Sequence, residues 1–279
     1  MSKQSGIIPI LVATLCTGLA LAAEDAAKPK TDDKSGEGVM EHYFLITSEA
    51  QPVGYRRVKS TKREKEIILE DEMALKYRDK MASFQSTVTY TTGDRPQPIR
   101  AEARTFVGDK KLMEGTLDFT VRKEEDGAEQ KIIRIKVTGY FSKQLEEYSP
   151  PKEGLSEMTQ PEGWLMFPAA WICLVPRMEP EGGMLENVVN MEFPDDLDFP
   201  ELLNAKKDHA LKWTQTENGE RAILVGRRKD VETSPTRATR LVLNDQGNVK
   251  EYRMDEMSAQ RCTKEEALKA VSSDQPRKD

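Results

Sequence analysis

Through much of the first half of the chain, apolar and polar residues alternate with a period of two, the signature of strands with one buried and one solvated face. Ile67, Leu69, Met73, Leu75 and Tyr77 alternate with Ile68, Glu70, Glu72, Ala74 and Lys76, and Val88 and Tyr90 with Thr87, Thr89 and Thr91. The same rule covers Ile99 to Val107, Leu117 to Arg122 and Ile133 to Thr138. The separators Thr92-Gly93-Asp94-Arg95-Pro96, Val107-Gly108-Asp109-Lys110 and Glu125-Asp126-Gly127 are turn chemistry that joins neighbouring antiparallel strands. A meander follows, and its long strands favour a curved sheet over a flat one.

Between Ser149 and Pro200 the pattern breaks. Eight prolines, at 150, 151, 161, 168, 176, 180, 194 and 200, surround the densest apolar cluster of the chain, and regular long strands are not expected there. Trp164, Leu165, Phe167, Trp171, Ile172, Leu174 and Val175 make up that cluster. The stretch from Trp164 to Val175 is expected to form a short helix with Pro168 in its first turn. Four strand-like runs follow, around 210–216, 221–228, 236–243 and 249–254, with Asn218-Gly219 and Asp245-Gln246-Gly247-Asn248 as hairpin turns. Lys264 to Val271 reads as a short terminal helix, and 272–279 as a polar tail.

The amino-terminal segment is of another kind. Lys3 precedes an apolar run from Gly6 to Leu21 that ends in Ala20-Leu21-Ala22 before the chain turns acidic at Glu24. That is the pattern of a cleavable signal peptide, with the cut expected after Ala22 or Ala23. A retained anchor would need about 20 apolar residues, more than this run offers. Leu15 argues against lipid attachment at Cys16. The expected layout is therefore a signal peptide over 1–22, a disordered tether over 23–39, a single β-rich domain over 40–257, and a short helix with a disordered tail over 258–279. The mature chain is expected to be periplasmic or secreted, with no transmembrane segment.

Charge narrows the function classes. The net charge of −6 arises from 42 basic and 48 acidic residues interspersed along the strands, so nucleic acid meets no basic footprint. Local clusters such as Arg56, Arg57, Lys59, Lys62 and Arg63 have acids close by and read as solvated faces. Cys173 and Cys262 remain after signal cleavage and are candidates for a disulfide in an oxidising compartment. The other reading is two unpaired thiols, Cys173 serving as a small hydrophobe in the run Trp171–Val175.

No catalytic residues emerge. His42 and His209 are the two histidines, and neither has a metal-ligand neighbour at useful spacing; both read as surface or strand-edge residues. A nucleophile elbow and a phosphate-binding glycine loop are both missing from the sequence. Asp195, Asp196 and Asp198 lack the glycine and terminal glutamate of a calcium loop and read as a solvated turn. No metal or cofactor is assigned, and the chain is read as a non-enzyme.

The fold class is mainly β: a curved antiparallel sheet, or half-barrel, with a short central helix or plug and a short C-terminal helix. An exported meander, a greasy proline-rich centre and a second set of hairpins resemble the half-barrel of the periplasmic lipoprotein-carrier superfamily over roughly residues 40–256. The likeness is one of layout, and no motif carries a functional residue across. It implies that Trp164, Leu165, Phe167, Trp171 and Ile172 form a plug or lid beside a hollow for a lipid or other apolar ligand. Two alternatives stand beside it. The same aromatic segment can serve simply as the core of a one-sided sheet, and the protein can be a scaffold or accessory protein that engages a partner protein of the cell envelope.

Overall fold

The computed structural model describes residues 38–77, 80–139, 152–178, 183–192, 204–254 and 257–272. The expected signal peptide, most of the expected tether, the Asp195–Asp198 turn and the end of the tail lie outside them.

One sheet of 15 strands contains nearly everything. Its strands are β1 (Gly38–Ser48), β2 (Gln51–Lys62), β3 (Glu66–Tyr77), β4 (Lys80–Thr91), β5 (Pro98–Val107), β6 (Lys110–Lys123), β7 (Glu129–Gly139) and β8 (Lys152–Thr159), then β9 (Trp164–Met166), β10 (Met184–Glu192), β11 (Asn204–Gln215), β12 (Arg221–Arg227), β13 (Thr239–Leu243), β14 (Val249–Met254) and β15 (Met257–Cys262). The spatial order is β8-β7-β6-β5-β4-β3-β2-β1-β15-β14-β13-β12-β11-β10-β9. The first strand therefore pairs with the last, Phe44 opposite Arg261 and Ile46 opposite Ala259, and fuses two meanders into one surface. β15 also extends the sheet past the domain end expected at 257.

The central region departs from expectation. β8 and β10 run for 8 and 9 residues within it, because their prolines fall in the connections and leave both strands free to donate to the ladder. Trp164–Met166 is a strand parallel to β10, which makes the sheet mixed; every other pairing is antiparallel. Pro168 then opens helix α1 (Pro168–Cys173) at its first turn, where a missing N–H costs nothing. A 3₁₀ turn, Val175–Arg177, completes the segment. Farther along, the run read as 221–228 ends at Arg227, and residues 228–233 form helix α2 (Arg228–Thr233).

The sheet is strongly curled. From β4 to β9 it makes ten strand-to-strand steps, a span of roughly 48 Å if laid flat at about 4.8 Å per step. Yet Trp164 on β9 donates its indole N–H to the Pro96 carbonyl, in the β4–β5 connection, at 2.7 Å. Helix α1 likewise packs against β2, β3 and β10 at once. The curl wraps the inner face around β9 and α1, and Phe44, Leu69, Val88, Tyr90, Leu117, Ile133, Leu211 and Ile223 join the plug in one continuous core.

The outer face carries charge. Lys59 meets Glu70 at 2.6 Å, Arg104 meets Glu114 at 2.9 Å and Lys136 meets Glu153 at 2.7 Å, each pair across neighbouring strands. Helix α3 (Lys264–Ser272), close to the expected span, packs outside β1–β3 through Ala267 against Tyr55 and Ala74. A reciprocal box starts it: Glu266 accepts the Thr263 N–H at 2.8 Å, and the Glu266 N–H donates to the Thr263 hydroxyl at 3.2 Å.

Close approach of β2 and β3 depends on Gly54. A Cβ there would lie 2.0 Å from the Ala74 carbonyl oxygen and 2.9 Å from Leu75 Cα, both backbone atoms that cannot swing away. Gly54→Ala is expected to destabilise the fold by at least about 1–3 kcal/mol, the usual range for overpacking. Urea denaturation monitored by tryptophan fluorescence checks this, and an unchanged midpoint would contradict it.

Candidate functional site

The inner face beneath the plug is the candidate site. Strand parity places Met40, His42, Phe44 and Ile46 of β1 on it, opposite Ser60, Val58, Arg56 and Gly54 of β2. These in turn oppose Leu69, Asp71, Met73 and Leu75 of β3. The five residues expected to bind an apolar ligand all gather in this core: Trp164, Leu165, Phe167, Trp171 and Ile172 are each buried to 9% exposure or less. Phe167 donates its backbone N–H to the Tyr90 hydroxyl at 3.0 Å and meets the Phe119 ring edge-on at 6.4 Å. The indole N–H of Trp171 is buried without a partner among the described residues.

The two cysteines are free thiols on opposite faces of the sheet. Cys173 sits in the inner core, while Cys262 lies opposite Tyr43 and packs beside α3 on the outside. Burial pushes the Cys173 thiol up to about 12 and that of Cys262 to about 11, which leaves both protonated and poorly nucleophilic near neutral pH.

Two polar islands interrupt the inner face, and the sequence reading placed neither there. Arg56, expected in a solvated cluster, is buried and pairs through two hydrogen bonds with Asp71, Nε to Oδ1 at 2.8 Å and Nη2 to Oδ2 at 2.6 Å. Its guanidinium also stands over the Tyr252 ring, 5.6 Å from the centroid. Burial alone would lower the Arg56 pKa; attraction to Asp71 outweighs it and raises the pKa instead. This island is internally satisfied.

The second island is not. His42, expected at the surface, is only 4% exposed, and neither ring nitrogen has a partner among the described residues. Burial pushes its pKa down to about 4, with Arg261 and Arg177 adding repulsion that Glu41, through its backbone and its carboxylate, only partly offsets. His209 is likewise buried, on β11 opposite Val188 of β10. The reason is the same for both histidines: each falls on the inward parity of its strand.

No family model matches the chain, and neither a curated protein nor a solved structure matches it significantly. Among the described residues no helix is long and apolar enough to cross a membrane, and no three His, Cys, Asp or Glu side chains gather as metal ligands would.

The satisfied pair generates one expectation. Asp71→Ala strands a buried cation and should cost about 3–5 kcal/mol, whereas Arg56→Met combined with Asp71→Leu should be less destabilised than that single variant. A double-mutant cycle in urea checks the ordering.

His42 generates another. Above its ordinary pKa of 6.5 neither the folded nor the unfolded chain holds the proton. Between 6.5 and about 4 only the unfolded chain takes it up, so stability falls as pH falls. The loss over that window should approach about 3 kcal/mol from this group. Denaturation midpoints across the window should drop more steeply for the native chain than for His42→Gln, and parallel slopes would refute it.

Proposed function

We propose that this is an exported, non-enzymatic protein of the periplasm or extracellular space that holds an apolar ligand of the acyl-chain type against the inner face of its curled sheet. The observation that carries the reading is a stretch of that face where apolar side chains are only half covered. Leu75 lies opposite Ala82, and Met73 lies opposite Phe84, which faces Thr105 on the next strand. All five side chains are half-buried. By contrast, the rows through Leu69, Val88, Ala101 and Leu117 are fully buried. A methionine and an aromatic ring on a concave sheet suit a flexible chain without fixed polar contacts.

A second reading rests on the plug. Leu165, Met166 and Ala170 have no solvent exposure, so the protein's own side chains fill the middle of the curl. On that reading the protein is a scaffold, and the charged outer face meets a partner in the cell envelope. The two readings differ at Met73, Leu75 and Phe84. A carrier needs them apolar, and a scaffold with a filled hollow does not.

Native mass spectrometry of gently purified, signal-cleaved protein is expected to show an acyl-chain adduct that organic extraction recovers. Phe84→Gln should remove at least about nine-tenths of that adduct while leaving the far-ultraviolet circular dichroism intact, since a half-exposed site tolerates a polar residue. An empty native protein that also takes up no added fatty acid would overturn the carrier reading and leave the scaffold.

A further inference from the structure

The unsatisfied island around His42 has the composition of an anion receptor. Three elements build it. Arg261 on β15 lies opposite Phe44, two residues beyond His42 on the same face of β1. Arg177 ends the 3₁₀ turn that follows the plug helix, and its Nη2 reaches Met40 Sδ at 3.3 Å, two residues before His42 on that face. Two guanidinium groups therefore flank one buried imidazole. Arg177 stands at the exposed rim, Arg261 is half-buried and His42 forms the floor.

Neither Arg177 nor Arg261 has a carboxylate within ion-pair distance among the described residues, and a thioether is a weak acceptor for a group that carries five donors. Desolvation lowers the Arg261 pKa with no compensating neighbour. The acids beside His42 in the register of β1–β3 have other partners. Asp71 is held by Arg56 with two hydrogen bonds, and Glu41 accepts from Arg57 and Tyr43. Tyr252, which packs on Phe44, is a neutral phenol whose pKa burial raises. Of the three groups His42 is the buried one, and a buried polar side chain without a partner is rare in native proteins, because it forfeits the hydration it had in the unfolded chain.

We infer that Arg177, Arg261 and His42 form a binding site for a single anionic group, a carboxylate or a phosphate. Planar guanidinium groups match either oxyanion with paired N–H donors, and a neutral imidazole contributes one more. The half-buried position lets the anion enter past Arg177 and lose only part of its hydration. The site stands apart from the carrier reading. If both hold, the ligand is an anionic amphiphile such as a fatty acid; if only this one holds, the ligand is a free anion.

The test follows the His42 imidazole by carbon–proton correlation NMR, its signal identified by its loss in His42→Gln. Full-length mature protein near neutral pH is titrated separately with decanoate, decanol and inorganic phosphate. Decanoate that moves the His42 signal saturably, where decanol does not, supports the site with an acyl anion as its source. Phosphate that moves it while decanoate does not supports the site with a free anion as its source. In either case Arg177→Gln combined with Arg261→Gln should weaken binding at least about tenfold, the loss expected for charge-assisted bonds. Both residues lie outside the main apolar cluster, and an unchanged denaturation midpoint confirms that the variant folds. Three results overturn the inference: a His42 signal that none of the ligands moves at saturation, decanol as effective as decanoate, or undiminished anion binding in the double variant. Decanoate that binds while the His42 signal stays still sinks this site and leaves the carrier reading standing.

Discussion

A sheet with one apolar face must cover it, and in this protein a single short segment does most of the covering. Residues 164–175 enter as a strand, turn at Pro168 and continue as a helix, so one stretch of chain pairs with β10 and also packs on β2 and β3. Burial of its aromatic rings draws strands from both meanders inward. The Trp164–Pro96 hydrogen bond then ties β9 to the β4–β5 connection across the curl, and gives a buried indole N–H the acceptor it needs. Fifteen strands laid flat would expose a broad apolar surface on a very long sheet, an arrangement prone to association.

The outer face solves the opposite problem. A chain with 32% charged residues cannot bury them, and a curled sheet offers a large convex surface on which opposite charges face one another across strands. Each exposed pair contributes at most about 1 kcal/mol, so the lattice sets solubility and register more than stability. The edge strand β8 belongs to the same scheme. Glu153 and Glu157 on it meet Lys136, Arg122 and Arg134, which places charge beside an otherwise open row of backbone donors and acceptors.

Much of this was legible in the sequence, and the failures have physical causes. The alternation of Ile67, Leu69, Met73 and Leu75 locates β3 and its buried face, and the Gly-Asp and Asn-Gly turns separate the hairpins as expected. That same alternation skips position 71, and the omission was informative: an acid at an inward position needs a buried partner, which Arg56 supplies from β2. β2 itself shows little alternation, because its inward residues are Gly54, Arg56, Val58 and Ser60, only one of them strongly apolar. The pairing of β1 with β15 joins residues some 200 positions apart and leaves no local mark. Strands β8 and β10 were hidden by prolines that sit between them instead of within them. The aromatic segment was recognisable from composition as the densest apolar cluster, but its opening strand was not, since three residues are too few to show a period.

The two polar islands of the inner face differ in a way that bears on what each is for. Arg56 and Asp71 exchange two hydrogen bonds inside the fold, so the desolvation of each is offset by the other, and their presence needs no ligand. Around His42 the arrangement is one-sided: two guanidinium groups with no carboxylate partner among the described residues stand beside an imidazole whose ring nitrogens make no hydrogen bond there. A fold that needed only stability would be better served by apolar side chains at 42 and 261, since both positions border Phe44 in the core. Retaining an unmatched imidazole beside two guanidinium groups carries a standing cost in the free protein, and that cost becomes binding energy only when an anion arrives from outside. The satisfied island thus belongs to the architecture of the sheet, and the unsatisfied one points outward to chemistry that the described residues do not provide.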